Sequence, residues 1–545
     1  MKIKNLLLKY SPEIAVLIIG SLFGIFLMFS TFIKKDGILL ISTKAWSDYA
    51  SHIPLIRSFS LGYNFPPEYP LFPGEAIKYH FGFYFGVGML EKVGIPIDLA
   101  LNIPSTIGFI LATFVTYLFA KLIFKSKSVG VLASIFYIFN SSLSYVYYFK
   151  NNSISLETIK NIPLIDNFQS FAPYGDGIVS AFWNLNIYTN QRHLPISFAL
   201  SLLILYLFLI PVFKNKRVDY KISVILGIIL GLSFFLHLAV LMMTSIVILF
   251  LGITFRKIKK SALIILIIAA LISIPQYLYV NSSEGYSIIL NPGYLIANDL
   301  TIFNFLKFWF YNLGISIFFI PLGFIFANSQ QRRIFLSIIP IFIIGNLFQF
   351  SPEIAANHKF FNYFMLIANM FSAYALIILW RKKVYLKPVV VICTFFMIFG
   401  GIIDFFPLYN DHKVSIADYE SKSESQWIIK NSAPDSVFLS TIYLYDPASL
   451  AGRKTFLGWP YFAWSQGYNT EKRGEILKEI LGADNKIKTC DLLVNNNINF
   501  VEIKIEEPPN PDVPTISNLW QESFAKAYEN SENRYTIYSV KKNCY

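Results

Sequence analysis

The sequence predicts an α-helical polytopic membrane protein of about eleven spans, with a small α/β domain at its C-terminal end. Three observations predict it. The 545 residues are 55% hydrophobic and only 14% charged, with a mean hydropathy of +0.52, which leaves too little polar surface to cover a soluble globule. Apolar runs of spanning length recur as far as residue 407, and beyond it the pattern turns water-soluble. Charge divides at the same place, with 31 Lys/Arg against 15 Asp/Glu in 1–407 and 15 against 18 in 408–545.

Taken in order, the runs predict spans near 12–33, 97–124, 128–149, 194–213, 221–236, 238–255, 261–280, 303–327, 334–350, 360–380 and 388–407. The first exceeds a signal-peptide core and lacks a small-x-small cleavage site, so it is predicted to remain. With the N-terminus inside, the short cytoplasmic connections hold Lys121, Lys125, Lys127, Lys214, Lys216, the RKIKK run at 256–260, Arg332, Arg333, Arg381, Lys382, Lys383 and Lys387. An odd number of spans then puts 408–545 outside. The expectation is a multi-pass plasma-membrane protein, surrounded by membrane lipids, with an extracytoplasmic C-terminal domain. The net charge of +13 sits at the inner ends of spans rather than on a soluble basic face, which excludes nucleic acid as a partner.

The same topology carries all six histidines, at 52, 80, 193, 237, 358 and 412, to the outer side, with nearly all carboxylates except Glu13 and Asp219. Ionisable groups collected at one membrane face point to chemistry there. The transmembrane domain, 1–407, has two long outer loops, 34–96 and 150–193. The first carries Asp48, His52, Arg57, Glu75, His80 and Glu91 among aromatics and prolines. Two short amphipathic helices are expected in it, about 48–60 and 79–93, their apolar faces in the membrane interface and their charged groups toward a common cavity. The second loop ends in PYGDGIVSAFWNLNIYTNQRH, where Asp176, Asn186, Arg192 and His193 lie among Trp183 and Tyr188. Such a mixture of hydrogen-bonding groups and flat rings suits a sugar. The last outer loop, SPEIAANHKFFN, adds His358 and Lys359, cations for a lipid phosphate.

From Leu408 onward, strand-like runs at 437–441, 499–503 and 535–540 alternate with helical ones at 470–482, 486–495 and 515–528, the pattern of a small α/β domain. Cys490 and Cys544 can pair there if this segment faces an oxidising compartment, whereas Cys393 lies in a span.

The stretch WSDYASHIPLIRSF, its continuation NFPPEYPLFPGEAIKYHFGFYFGVGMLEKVGIPIDLALNIPS, the multi-span core and the external tail together resemble the GT-C superfamily of membrane glycosyltransferases. The YHFGFYF region with its Ala-Leu-Asn-Ile sequel is also similar to an uncharacterised polytopic family known for a triple-tyrosine motif. The resemblance implies a catalytic acidic residue in the first outer loop, matched here by Asp48, and a donor sugar on a polyprenyl phosphate or pyrophosphate that arrives sideways from the bilayer. Asp48 is followed by Tyr49 rather than a second acid, and the tail has no Trp-Trp-Asp run of the oligosaccharyltransferase kind. The acceptor and the participation of a divalent cation therefore stay open.

Inverting transfer from a lipid phosphate needs a base for the acceptor's proton and cations for the departing phosphate. Asp48 is the candidate base, with Asp176 or Glu75 as alternates. His52, one helical turn on, shares its face and either orients the carboxylate or joins a metal site. Arg57, Arg192, His193, His358 and Lys359 are candidates for the phosphate, and Glu75, His80, Asp176 and Asn186 for the sugar. Structural readings stand beside these: Asp48 as a helix N-cap, Arg192 as a neutralising partner, Lys359 as a snorkelling residue at a span end. Two other classes remain in play, a transporter or flippase of lipid-linked glycans, which would carry ionisable or helix-breaking residues at mid-membrane, and a non-catalytic glycan-binding membrane protein. No dinucleotide fingerprint or P-loop opens a helix, so a nucleotide-sugar or ATP site is not expected.

Overall fold

The computed structural model describes residues 9–169, 180–216, 218–281, 286–296, 299–506 and 511–545. Two compact units result. One comprises Met1–Thr31, Asn102–Gln276 and Ile288–His412; the other comprises Phe32–Leu101, Tyr277–Ser287 and Lys413–Tyr545.

The first unit is a helical bundle. Ser11–Thr31, Ile97–Phe124, Leu194–Phe213, Arg256–Val280, Ile354–Lys382 and Val384–Tyr409 are long and apolar enough to cross a membrane. Ile302–Leu313 and Ser316–Phe326 form one broken element, bent by 88°. Lys127–Ile138, Tyr220–Leu232 and Leu238–Thr254 are apolar but shorter, and Ser329–Leu347 opens on a capping box in which Asn328 and Gln331 satisfy each other's backbone.

The run at 128–149 is not the continuous span its hydropathy predicts. Its helix stops at Ile138, and a new one starts at Ser144. The intervening Asn140-Ser141-Ser142 competes for backbone groups, and the break at Gly314 answers it. Ser141 Oγ donates to Leu313 O at 2.6 Å, and Leu143 N donates to Tyr311 O at 2.9 Å. Gly314 has φ 56°, and a Cβ there would stand 1.7 Å from Ser141 O, so only glycine fits. Two broken helices thus satisfy each other where no water would.

The second unit joins the first outer loop to the C-terminal residues. Strand Ile38–Ser42 pairs antiparallel with Phe32–Lys35 on one side and Lys413–Ala417 on the other. The loop assigned by hydropathy to the transmembrane domain therefore folds with the segment after the last apolar helix. A five-stranded mixed sheet follows, with Val437–Ser440 parallel to both Lys454–Thr455 and Phe500–Lys504, and with Tyr535–Ser539 antiparallel between Phe500–Lys504 and Lys526–Asn530. Helices Thr470–Gly482 and Lys486–Asn495 lie at the expected positions. The helix expected over 515–528 is shorter, Leu519–Ser523, because Lys526–Asn530 is drawn into the sheet by Tyr535–Ser539. Cys490 and Cys544 form a disulfide, Cα–Cα 5.3 Å.

Candidate functional site

In the second unit, helices Trp46–Ser60 and Gly82–Lys92 carry the residues of the first loop. The N-cap of Trp46–Ser60 is Ala45, so Asp48 is not the cap; it stands in the first turn, half-buried, where a carboxylate is favoured by the helix dipole. Asp48 lies within electrostatic range of Tyr79 and Tyr445. Burial first, then the charge of Asp48, holds the Tyr79 hydroxyl above the usual tyrosine range, and burial, then Tyr49, then Asp48 act in the same direction on Tyr445. The Tyr445 hydroxyl donates to Trp46 O, so its link to Asp48 is electrostatic.

His52 is buried, stacks on Tyr84 with centroids 4.6 Å apart, and meets the Tyr84 hydroxyl through Nε2 at 3.0 Å. His80 is half-buried against the Tyr79 ring, 3.7 Å between centroids. Glu75 pairs with Lys78 at 2.9 Å, and Lys78 also lies over Tyr468.

Arg57 is a correction. From His52 onward the helix is buried on every side, so it does not lie in a membrane interface. The Arg57 guanidinium grips Asp418 with both Nη atoms, reaches Leu450 O at 3.0 Å and Glu91 at 3.4 Å, and covers the Tyr419 ring. At 0% exposure its donors serve the fold and not a substrate phosphate.

In the first unit, Arg192 is a second correction. It is 0% exposed, and it donates from Nε to Thr189 O at 2.9 Å and from Nη2 to Met28 O at 3.2 Å, with Asn102 Oδ1 at 3.3 Å from Nη1. Met28 is in the last turn of Ser11–Thr31, whose carbonyls lack helical partners and welcome a cation. Asn186 is also inward: its N–H donates to Asn184 Oδ1 at 2.8 Å, and its Oδ1 accepts from Thr189, which closes a local turn. Asp176 lies outside the described residues.

The remaining residues of the outer loops meet in that unit. His193 and His237 are buried with ring centroids 5.2 Å apart. His358 bonds Asn362 Oδ1 through Nδ1 at 2.9 Å and Gln191 Nε2 through its own Nε2 at 3.3 Å, and stacks on Phe182. Lys359 and His358 both act electrostatically on His237. Gln191 and His193 of the second loop, His237, and His358 with Lys359 of the last loop thus form one cluster of imidazoles and an amide beside a single lysine. A pair of imidazoles supplies two of the four ligands a tetrahedral ion takes.

This helical unit, joined to a mixed-sheet unit that carries a first-loop acid, has solved counterparts. Over 92% of its length the chain matches the archaeal oligosaccharyltransferase AglB from Archaeoglobus fulgidus, solved with an inhibitory peptide and a dolichol-phosphate, at a TM-score of 0.54, with 13% identity and 70% of that chain covered. The chain shares its fold with this oligosaccharyltransferase. A second structure, the A. fulgidus oligosaccharyltransferase tethered by a disulfide to an acceptor peptide containing the NVT sequon, matches at a TM-score of 0.50, with 14% identity over 91% of this chain and 69% of that one. No protein-family model and no curated protein matches the sequence.

Within this fold one residue escaped the sequence reading. Asp404, 0% exposed in Val384–Tyr409, accepts from Ser144 Oγ at 3.0 Å and Asn140 Nδ2 at 3.3 Å. A lone carboxylate in the apolar run GGIIDFF was the available signal.

Proposed function

We propose that the chain is a membrane glycosyltransferase that moves a sugar from a polyprenyl-phosphate-linked donor to an acceptor on the extracytoplasmic face, with inversion. The oligosaccharyltransferase fold over 92% of the chain carries this reading, because such a fold supplies a bilayer-embedded bundle together with a folded outer part. The first counterpart was solved with a dolichol-phosphate, which supports a lipid-linked donor here. The Cys490–Cys544 disulfide supports an oxidising compartment for the C-terminal residues, hence the extracytoplasmic side.

Asp48 is the proposed base that removes the acceptor's proton, oriented from the first turn of its helix and flanked by Tyr79. Lys359 is the proposed counter-charge to the phosphate as the sugar–oxygen bond breaks, with the imidazoles of His358, His193 and His237 as hydrogen-bonding groups beside it. His80 and Glu75 are kept for the sugar or acceptor, and His52 as a positioning residue behind Asp48. The 88° helix break and buried Asp404 favour a second reading, a transporter of lipid-linked glycans.

One experiment separates the two. Purified protein in liposomes is given a radiolabelled polyprenyl-phosphate sugar and a mixture of peptide and glycan acceptors. Release of free polyprenyl phosphate with label on an acceptor supports transfer. Donor that changes leaflet without being consumed supports the transporter and rejects the transferase.

A further inference from the structure

A groove of about 910 Å³ opens in the C-terminal segment, within the size of a ligand site. Helix Ser423–Asn431 contributes Trp427 and Asn431, strand Phe500–Lys504 contributes Phe500, the turn after helix Lys486–Asn495 contributes Asn497, and helix Val540–Cys544 contributes Lys541 and Lys542.

Trp427 and Phe500 are half-buried and meet edge to face, centroids 6.2 Å apart at 89°. Phe500 stacks one face on Phe438, centroids 4.8 Å apart at 15°, and Trp427 lies tilted on Tyr528 at 5.5 Å; both line the groove with the ring surface these contacts leave. Asn431 spends one amide hydrogen on Trp427 O at 2.8 Å and keeps its side-chain carbonyl. Asn497, held at φ 54°, makes no side-chain hydrogen bond among the described residues. Lys541 and Lys542 are exposed and in no ion pair among the described residues. Among the lining side chains, Lys541 and Lys542 carry the formal charge, and Tyr545 lines the groove beside them.

The wall that carries the lysines is fixed. The disulfide ties Val540–Cys544 to Lys486–Asn495, and Asn543 accepts from Ala525 N at 2.7 Å while donating to Ala525 O at 3.0 Å. Such preorganisation lowers the ordering cost of binding.

We propose that this groove binds an acidic oligosaccharide, its flat CH-rich ring faces on Trp427 and Phe500, its hydroxyls on Asn431 and Asn497, and its carboxylates on Lys541 and Lys542. An acidic peptide would meet the lysines but has no such flat face for the rings. The inference does not rest on the transferase reading, since the groove is a binding site in its own right.

The test is calorimetric titration of the full-length protein in detergent with hexagalacturonate, with maltohexaose as the neutral sugar and poly-glutamate as the acidic peptide. Saturable binding of hexagalacturonate, tighter than either comparator and weakened about tenfold in the double variant Lys541→Ser, Lys542→Ser, supports the proposal. These lysines are exposed, so that variant keeps its fold; Trp427→Ala should weaken both sugars. Absence of hexagalacturonate binding, binding unaltered in the lysine variant, or equal binding of poly-glutamate would overturn it.

Discussion

Arg57 and Asp418, 361 positions apart in the chain, form a two-pronged ion pair with Nη2 to Oδ2 at 2.8 Å and both side chains at 0% exposure. Lys34 also reaches Asp418 at 3.3 Å, and Glu91 is held by Ser60 at 2.6 Å as it faces Arg57. Breaking one partner leaves buried Arg57 with only Glu91 at 3.4 Å as counter-ion among the described residues, or buried Asp418 with only Lys34 at 3.3 Å. Asp418→Ala or Arg57→Ala should each cost about 3–5 kcal/mol. The double replacement Arg57→Leu, Asp418→Leu should recover much of that loss, measured by thermal unfolding in detergent.

Stability should fall at both ends of the pH scale for different reasons. Burial would raise the Asp418 carboxyl, but its bonds to Arg57, with the Tyr419 N–H and Lys34, hold it below the usual 3.8; its contribution is present above that value and lost as pH falls below it. Glu502 runs the other way. It is fully buried beside Asp446, accepts from Tyr535, and is pushed well above 4.5 by burial and then by Asp446. A group raised in the folded state stabilises below its unfolded value and loses that contribution as pH climbs through the folded one. Melting temperature should therefore decline as pH rises from the ordinary carboxylate range. Glu502→Gln, which keeps an acceptor for Tyr535, should flatten that decline.

Asp404 organises the helix break at Asn140. Asp404→Asn keeps an oxygen for Ser144, whereas Asp404→Leu strands the buried Asn140 amide and leaves Ser144 its contact with Ser142 Oγ at 2.8 Å, a loss of about 1–3 kcal/mol. The leucine variant should be recovered from membranes in lower yield and melt earlier than the asparagine variant.

Replacing Cys490 and Cys544 with serine opens a link between residues 54 apart. The loss should be about 2–5 kcal/mol, and reductant should lower the melting temperature of the native protein but not of the variant.

Much of this fold is legible locally. Each apolar run lies on a helix or a broken one, and the helices expected at 48–60 and 79–93 correspond to Trp46–Ser60 and Gly82–Lys92. What escapes is the long-range pairing. Hydropathy reads Asn140-Ser141-Ser142 as a dent in a span, because its partners Gly314 and Asp404 come from distant helices. Arg57 and Arg192 look like free cations until Asp418 and the Met28 carbonyl are brought beside them. The imidazole cluster around His358 was partly visible, since His193, His358 and Lys359 each stood out, but the link through Gln191 depends on tertiary packing.

The most direct measurement is the rate of sugar transfer from a labelled polyprenyl-phosphate donor by Asp48→Asn protein matched to wild type in amount and melting temperature. A positioned base contributes about 10²–10⁴-fold, so transfer should fall by that factor while donor binding persists. Transfer within a few fold of wild type would contradict the assignment of Asp48 and the mechanism built on it.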